Sequence, residues 1–239
     1  MLEEFLQFVE TYDRDFRNQI RGAGSSEIQT LERLANRPLP QCYVEFLEHM
    51  GHSDGGLDLA YDGSCDINAV VDYYRDLAMK EVLPPPPNCL VFATGDPVIG
   101  QIFLEEVDGG PPRVMIGIDG QIDRPYRESL ENVLYSRAFI KYEFAASRFV
   151  GFYLDKKKRN LVPMAKEIAE SQGFEVQRFS DSEALCAKRE KTVFICERSY
   201  ATFGTMKIAS ERREEVERLG SIVINQHGLE FQRWWKRAK

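Results

Sequence analysis

The sequence has few of the residues that build disulfide frameworks, metal centres and membrane spans. Its 239 residues include five cysteines, an odd and scattered set without a CxxC pair, and three histidines. This pattern favours reduced, buried thiols and lacks the closely paired ligands of a structural zinc site. No run approaches the roughly 18 uninterrupted apolar residues of a membrane-spanning helix. The N-terminus is acidic and amphipathic, unlike a secretory signal, so we expect a soluble cytoplasmic protein without a disulfide, metal or cofactor.

Motifs for catalysis and nucleotide binding are also missing. The sequence contains no GxGxxG after a predicted strand, no GxxxxGK[ST], no GxSxG and no HExxH. The histidines, His49, His52 and His227, stand in no recognisable triad context. We therefore expect no enzymatic activity and no catalytic residue. An enzyme that uses the C-terminal part of the chain is the alternative.

The net charge of −7 is unevenly distributed along the chain. Residues 1–150 carry 25 acidic and 13 basic side chains, a net charge of −12, whereas residues 151–239 carry 13 acidic and 18 basic ones, a net charge of +5. Within the first part, residues 44–123 alone hold 15 acidic and three basic side chains. A field of this sign repels nucleic acid and attracts basic partners, although ordinary solubility of an acidic domain is an alternative explanation.

Two groups of carboxylates in this acidic stretch are the candidate contact residues for a partner. The first group recurs every four residues and consists of Asp54, Asp58, Asp62 and Asp66. Intervening glycines disfavour a continuous helix there, and the ligand order differs from that of a calcium-binding loop. The second group ends a predicted strand beside a Gly-Gly-Pro-Pro turn and consists of Glu105, Glu106 and Asp108. A solvated strand end is the alternative for the second group, but both groups fit an acidic docking surface.

Hydrophobic periodicity predicts an α+β domain over residues 1–150. Apolar residues three and four apart predict five helices. The first covers residues 2–20, the second follows a capping box at Ser26, and the third runs from Pro40 to Gly51, which we expect to be left-handed. The fourth covers residues 67–79 with Asp66 as its cap, and the fifth covers residues 127–148. Pro84 to Pro87 form a stiff extended connector, after which the period changes to about two. Three strands of an antiparallel sheet are predicted there: Cys89–Ala93, Val98–Glu105 and Arg113–Ile118. The predicted order is N-terminal helices, a small sheet and a closing helix.

Residues 151–239 are predicted to form either a second small α+β domain or an extension of the first sheet. The basic run from Lys156 to Arg159 is short and indicates a solvated linker. A helix near Leu161 is followed by strand candidates Phe174–Phe179, Ala184–Arg189, Val193–Glu197 and Phe203–Ala209. A charged helix, Glu211–Leu219, is predicted to stop at Gly220 before a last strand, Ser221–Asn225.

Six ordered segments of the first domain follow the pattern of a known family. They are Glu27 to Leu34 (EIQTLERL), Leu39 to Leu47 (LPQCYVEFL) with Gly51, Leu90 to Phe92 with Gly95-Asp96, Gly100 to Leu104, Pro112 to Met115, and Glu128 to Leu134. Together with a glycine turn at Gly55-Gly56, this order over about residues 26–140 resembles the SUKH superfamily. That family includes yeast cell-wall-assembly regulators and many bacterial immunity proteins.

The resemblance implies a non-enzymatic binding module, which in bacteria most often neutralises a toxin. An acidic binder can dock on the basic active-site surface of a toxin that cuts nucleic acid, with fast and salt-sensitive association. We therefore expect a protein partner, specifically a basic toxin domain, and neither nucleic acid nor a membrane. A cytoplasmic regulator or scaffold on the same fold is the alternative, and the oligomeric state is left open.

Overall fold

The computed structural model describes residues 2–60, 63–95, 100–118, 120–157, 159–198 and 204–235. It divides the chain into two compact units, residues 1–137 and 138–239. Both units combine helices with antiparallel strands, so the predicted α+β class is confirmed. The division falls at Arg137, earlier in the chain than the boundary at residue 150 that we expected. Within the described ranges, no helix combines the length and the apolar character needed to cross a membrane.

The helices of the first unit are shorter and more numerous than predicted. They are α1 (Leu2–Glu10), α2 (Phe16–Gln19), α3 (Ser25–Ala35), α4 (Gln41–Met50), α5 (Ile67–Ala78) and α6 (Leu130–Phe139). The last two residues of α6 and the π-helical turn that follows it, Ile140–Phe144, belong to the second unit. The single helix predicted over 2–20 is wrong, because the Asp13 carboxylate accepts a hydrogen bond from the Asp15 backbone N–H at 3.1 Å and holds a turn after α1. The capping box predicted at Ser26 is also wrong: the Glu27 carboxylate accepts from the Gly24 N–H at 2.7 Å, and α3 begins at Ser25.

A four-stranded antiparallel meander forms the main sheet of the first unit. Its order is β3 (Cys89–Ala93), β4 (Gln101–Glu105), β5 (Arg113–Ile118) and β6 (Gln121–Arg127), while β1 (Ile20–Arg21) and β2 (Ser53–Asp54) pair separately. The bounds of β3 and β5 are those predicted. The predicted start of β4 at Val98 lies outside the described residues, and β6 was not predicted because its sequence is polar and contains Pro125.

Two tyrosine hydroxyls cover the open edge of β3. Tyr43 in α4 donates to the Val91 carbonyl at 3.3 Å, and the Val91 N–H donates to the Tyr74 hydroxyl of α5 at 3.1 Å. The Tyr43 ring also packs against Phe92, with ring centroids 5.7 Å apart. Burial raises the pKa of both tyrosines, so the hydroxyls keep their protons. These contacts satisfy the edge strand's backbone and attach two helices to it.

The second unit is built on a six-stranded sheet of its own, not on an extension of the first sheet. Its antiparallel strands follow the order β12 (Glu230–Trp235), β7 (Phe149–Asp155), β11 (Gly204–Ser210), β10 (Thr192–Arg198), β9 (Ala184–Arg189) and β8 (Glu175–Val176). Tyr153, Met206, Cys196 and Leu185 align across four strands and pack in one core with α7 (Val162–Ser171) and α8 (Arg213–His227). On the opposite face, Glu143 of the π-helical turn pairs with Lys188 of β9.

Two glycines differ from the predicted helix ends: Gly51 does end α4 but without the left-handed conformation, and Gly220 lies inside α8. Gly51 has a right-handed φ of −62°, and a Cβ there would lie 2.5 Å from the Leu47 carbonyl oxygen. Gly220 lies inside α8, where a Cβ would come within 1.9 Å of the Tyr153 hydroxyl of β7. The strand predicted over Ser221–Asn225 is therefore wrong, because the helix continues through this position and packs on the sheet.

Candidate functional site

The first group of candidate acids lines an open depression next to β2. The depression has a volume of about 320 Å³ and is lined by Met50, His52, Ser53, Asp54, Gly56, Asp58, Gly63, Ser64, Cys65 and Asp66. We refer to it as the acidic depression. The structure thus brings Asp54, Asp58 and Asp66 together, whereas Asp62 lies outside the described residues.

A tight loop places Asp54 at this site. Gly55 and Gly56 have left-handed φ values of 66° and 72°, which glycine adopts without steric cost. One Asp54 carboxylate oxygen accepts a hydrogen bond from the Gly56 N–H at 2.9 Å, and the other accepts from the Leu59 N–H at 3.1 Å. A Cβ at position 55 would lie 2.4 Å from the Phe16 ring, so the loop is packed directly on α2. Asp54 is therefore held in one orientation by the backbone.

Asp58 is held by a partner that is distant in sequence. Its carboxylate lies 2.7 Å from the Arg137 guanidinium at the end of α6, and Arg137 also donates to the Leu57 carbonyl at 3.4 Å. The Arg137 side chain is 6% exposed, but the Asp58 side chain is 56% exposed. The ion pair therefore closes the loop and still leaves much of the carboxylate facing solvent.

His52 connects two helices beside the depression. Its Nε2 lies 3.1 Å from the Glu27 carboxylate, and its Nδ1 lies 3.5 Å from the Asp66 carboxylate and 3.4 Å from the Asn68 amide nitrogen. Asp66 also accepts from the Asn68 N–H at 2.8 Å, which confirms it as the cap of α5. A hydrogen bond from the Gly24 N–H, followed by the contact with His52, lowers the pKa of Glu27. Asp66 is thus fixed both by the helix end and by the imidazole.

The described part of the depression provides charge and hydrogen-bond acceptors, without an activated nucleophile. Burial raises the pKa of the Cys65 thiol far above neutrality, so the sulfur stays protonated. None of the five cysteines forms a disulfide, and four of them are buried, as predicted. Among the described residues, no group of three His, Cys, Asp or Glu side chains is placed to hold a metal ion. The arrangement is suited to binding basic side chains through fixed carboxylates.

The second group of candidate acids lies at the end of β4. Glu106 pairs with the Arg37 guanidinium at 2.6 Å, while Glu105 stands 4.0 Å from Arg113, and Asp108 is exposed in the following turn. A shallow depression of about 230 Å³ adjoins them, lined by Pro38, Leu39, Pro40, Glu106, Val107, Gly110 and Pro112. Asp108 alone in this group has no ion pair or side-chain hydrogen bond to another described residue.

The two groups stand at opposite ends of β3 and do not form one cluster. Glu105 pairs in register with Cys89, the first residue of β3, whereas Ser64 of the acidic depression bridges to Thr94, just beyond its last residue. An extended strand of this length separates the groups by about 17 Å. Arg37 and Arg137 cannot be recognised as counter-ions from the sequence, because these arginines lie 69 and 79 residues from their carboxylates. No local sequence signal marks such pairs.

Comparisons with known proteins found no related family or structure. No family model, no curated protein and no solved structure matched the chain. The function is therefore inferred from the geometry and charge of the sites themselves.

Proposed function

We propose that the chain is a protein-binding module that receives a basic surface of its partner on the acidic depression. The observation that carries this proposal is the fixed position of three carboxylates: Asp54 on backbone N–H groups, Asp58 on Arg137, and Asp66 on the end of α5. Groups that are already ordered lose little conformational entropy on binding. Complementary charge also accelerates the encounter with a basic partner.

The specific function we propose is neutralisation of a toxin by a cytoplasmic immunity protein of SUKH type. Residues 44–123 hold 15 acidic and three basic side chains. Their negative charge is complementary to the basic surfaces that nucleic-acid-cutting toxins need. In the first unit, two helices (α3 and α4), three strands (β3 to β5) and a further helix (α6) occur along the chain, and the family resemblance implies the same order of elements. Five cysteines without a disulfide suit a reducing compartment. The same field disfavours nucleic acid and anionic membranes as partners.

Isosteric neutralisation of the depression tests the proposal. Asp54→Asn, Asp58→Asn and Asp66→Asn together remove three charges but keep one side-chain acceptor at each position, and asparagine tolerates the positive φ of residue 58 and caps helices well. We expect the affinity for the partner captured from the native host to fall at least tenfold, mainly because association becomes slower. The remaining affinity should also depend less on the salt concentration. Surface plasmon resonance at two salt concentrations measures both effects, after circular dichroism has verified the fold.

A matched control removes the same number of charges outside the depression. Glu4→Gln, Glu48→Gln and Asp72→Asn change exposed side chains that do not line it. An equal loss of affinity in both triple variants would show that binding depends only on the net charge of the protein. An unchanged affinity in the variant of Asp54, Asp58 and Asp66 would exclude the acidic depression as the contact surface. Co-expression with the toxic product of a neighbouring gene tests the specific function: failure to protect the cell, despite specific binding of another protein, would favour a regulator or scaffold.

A further inference from the structure

The four-proline run between α5 and β3 forms an extended ridge on the first unit. The proline ring fixes φ near −65°, and each residue that precedes a proline is excluded from the helical region. Leu83, Pro84, Pro85 and Pro86 all precede a proline. They are therefore confined to extended, polyproline II geometry, and none of them lies in a helix or strand.

Hydrogen bonds hold this ridge at both ends. At its start, the Tyr73 hydroxyl donates to the Leu83 carbonyl at 2.6 Å. At its end, the Arg37 guanidinium donates to the Pro87 carbonyl at 3.0 Å, and the Cys89 N–H donates to the Pro86 carbonyl at 2.9 Å. A segment that is stiff by covalent structure and held at both ends is preorganised, so that a partner has little left to order.

The exposed side of the ridge is apolar. Pro84 and Pro87 are exposed, whereas Pro85 and Pro86 are partly buried. Because polyproline II has three residues per turn, positions i and i+3 lie along one edge, about 9 Å apart. Met79 and Leu83, just before the prolines, are 62% and 58% exposed, the highest values among the large hydrophobic side chains of the described chain. These exposed apolar residues fall within nine consecutive positions, 79–87, which also expose Lys80 and Glu81, and such a concentration of apolar surface marks an interaction site.

We propose that this ridge is the ligand for an aromatic-lined, polyproline-binding groove on a second protein. Pro84 and Pro87 would fill two slots between aromatic rings, while the Pro86 and Pro87 carbonyls stay bonded to the Cys89 N–H and to Arg37. Lys80 is exposed three residues before the ridge begins and is adjacent in sequence to the exposed Glu81. A carboxylate at one end of the groove complements this charge and sets the direction in which the nearly symmetric ridge binds.

The test uses the full-length chain and two purified polyproline-binding domains, an SH3 domain and a WW domain. Fluorescence of the groove tryptophans follows the titration, and a decaproline peptide serves as competitor. We expect saturable binding to at least one domain that decaproline abolishes. The variant Pro84→Ala with Pro87→Ala should weaken binding at least tenfold, and Met79→Ser with Leu83→Ser should weaken it several-fold. Lys80→Gln should cause a smaller loss that disappears at high salt.

Two controls separate recognition from loss of structure and from the acidic depression. Pro85→Ala with Pro86→Ala removes the same number of rings from the partly buried side and should bind more tightly than the first proline variant. The Asp54→Asn, Asp58→Asn, Asp66→Asn variant should bind the domain normally. Absence of binding to both domains, binding that decaproline does not displace, or equal losses in the two proline variants would overturn the proposal. Self-association that Met79→Ser with Leu83→Ser abolishes would overturn it in favour of a second copy of the chain as the occupant.

Discussion

The second unit contains ion-paired carboxylates that are buried, as well as exposed ones, whereas the arginine-paired acids next to the candidate sites of the first unit stay about half exposed. In the first unit, Asp58 and Glu106 pair with arginines, yet about half of each side chain remains exposed. In the second unit, Asp155 pairs with Arg159 and Glu197 pairs with Lys207, and both carboxylates are buried. Acids of the first kind can hold a loop and still meet a partner, whereas acids of the second kind can only stabilise the fold. Glu217 and Glu230 of the second unit are also paired and about half exposed, so the difference favours Asp58 and Glu106 over Asp155 and Glu197 as partner contacts, and does not by itself distinguish the units.

The largest effect on stability is expected at Asp155. Its fully buried carboxylate accepts hydrogen bonds from the Arg159 N–H at 2.9 Å and from the Arg159 guanidinium at 2.8 Å, and Arg159 also donates to the His227 carbonyl at the end of α8. Asp155→Ala should lower the free energy of unfolding by about 3 kcal/mol, because the charge-assisted hydrogen bonds that the buried carboxylate accepts from the Arg159 N–H and guanidinium are both lost. Urea denaturation measures this loss. A loss below about 1 kcal/mol, typical of exposed pairs, would remove the contrast between the units.

The same pair predicts a loss of stability in acid. Burial of Asp155 opposes ionisation, but the hydrogen bonds and charge of Arg159 outweigh it, so the pKa of Asp155 lies below its usual value of 3.8. A carboxyl group whose pKa is lowered in the folded state stabilises the fold above its unfolded-state pKa and loses this contribution as the pH falls through the folded-state pKa. The stability difference between the wild type and Asp155→Asn should therefore be constant from pH 5 to 7 and shrink below pH 3.8. A difference that grows in acid would contradict this assignment.

In the first unit, a hydrogen bond between uncharged groups stabilises the fold. Tyr74→Phe leaves the buried Val91 N–H of the edge strand without an acceptor, which should cost about 2 kcal/mol in urea denaturation. Tyr73→Phe is the matched control, because its hydroxyl bonds to the carbonyl of the exposed Leu83, where water can replace it. Equal losses in the two variants would show that covering the strand edge contributes nothing specific.

Local sequence predicts those elements in which propensity and packing agree. The bounds of β3, β5 and β9 are the predicted ones, because each is a strand-forming run between turn residues. The sequence of β6 is too polar to be recognised as a strand. Pairing with β5 makes this segment a strand. The second half of α8 carries the strand-like run Ile222 to Ile224, yet its packing against β7 keeps it helical. Long-range contacts decided both of these cases.

The candidate site was predictable only in part, for a similar reason. The cap at Asp66 follows from a local rule and could be read from the sequence. The four-residue spacing of the aspartates suggested a common surface, but left-handed residues in a loop, and not a helix, bring Asp54 and Asp58 together. The buried counter-ion of Asp58, Arg137, comes from α6 and is brought there only by the folded chain. A count of the charges in residues 44–123 omits Arg137, so it overstates the negative field at the acidic depression.

The smallest effect distinguishes a paired acid from an unpaired one within the first unit. Asp58→Asn keeps an acceptor for the buried Arg137 but removes its counter-charge, which should cost about 1 kcal/mol in urea denaturation, well below the loss at Asp155. Asp108→Asn, in an exposed turn without a described partner, should change the unfolding free energy by less than about 0.5 kcal/mol. If Asp58→Asn cost as much as Asp155→Ala, the acids of the first unit would be structural like those of the second. Their partial exposure would then be no argument for recognition, because a carboxylate committed to holding the fold could not be drawn toward a partner without loosening the loop that positions it.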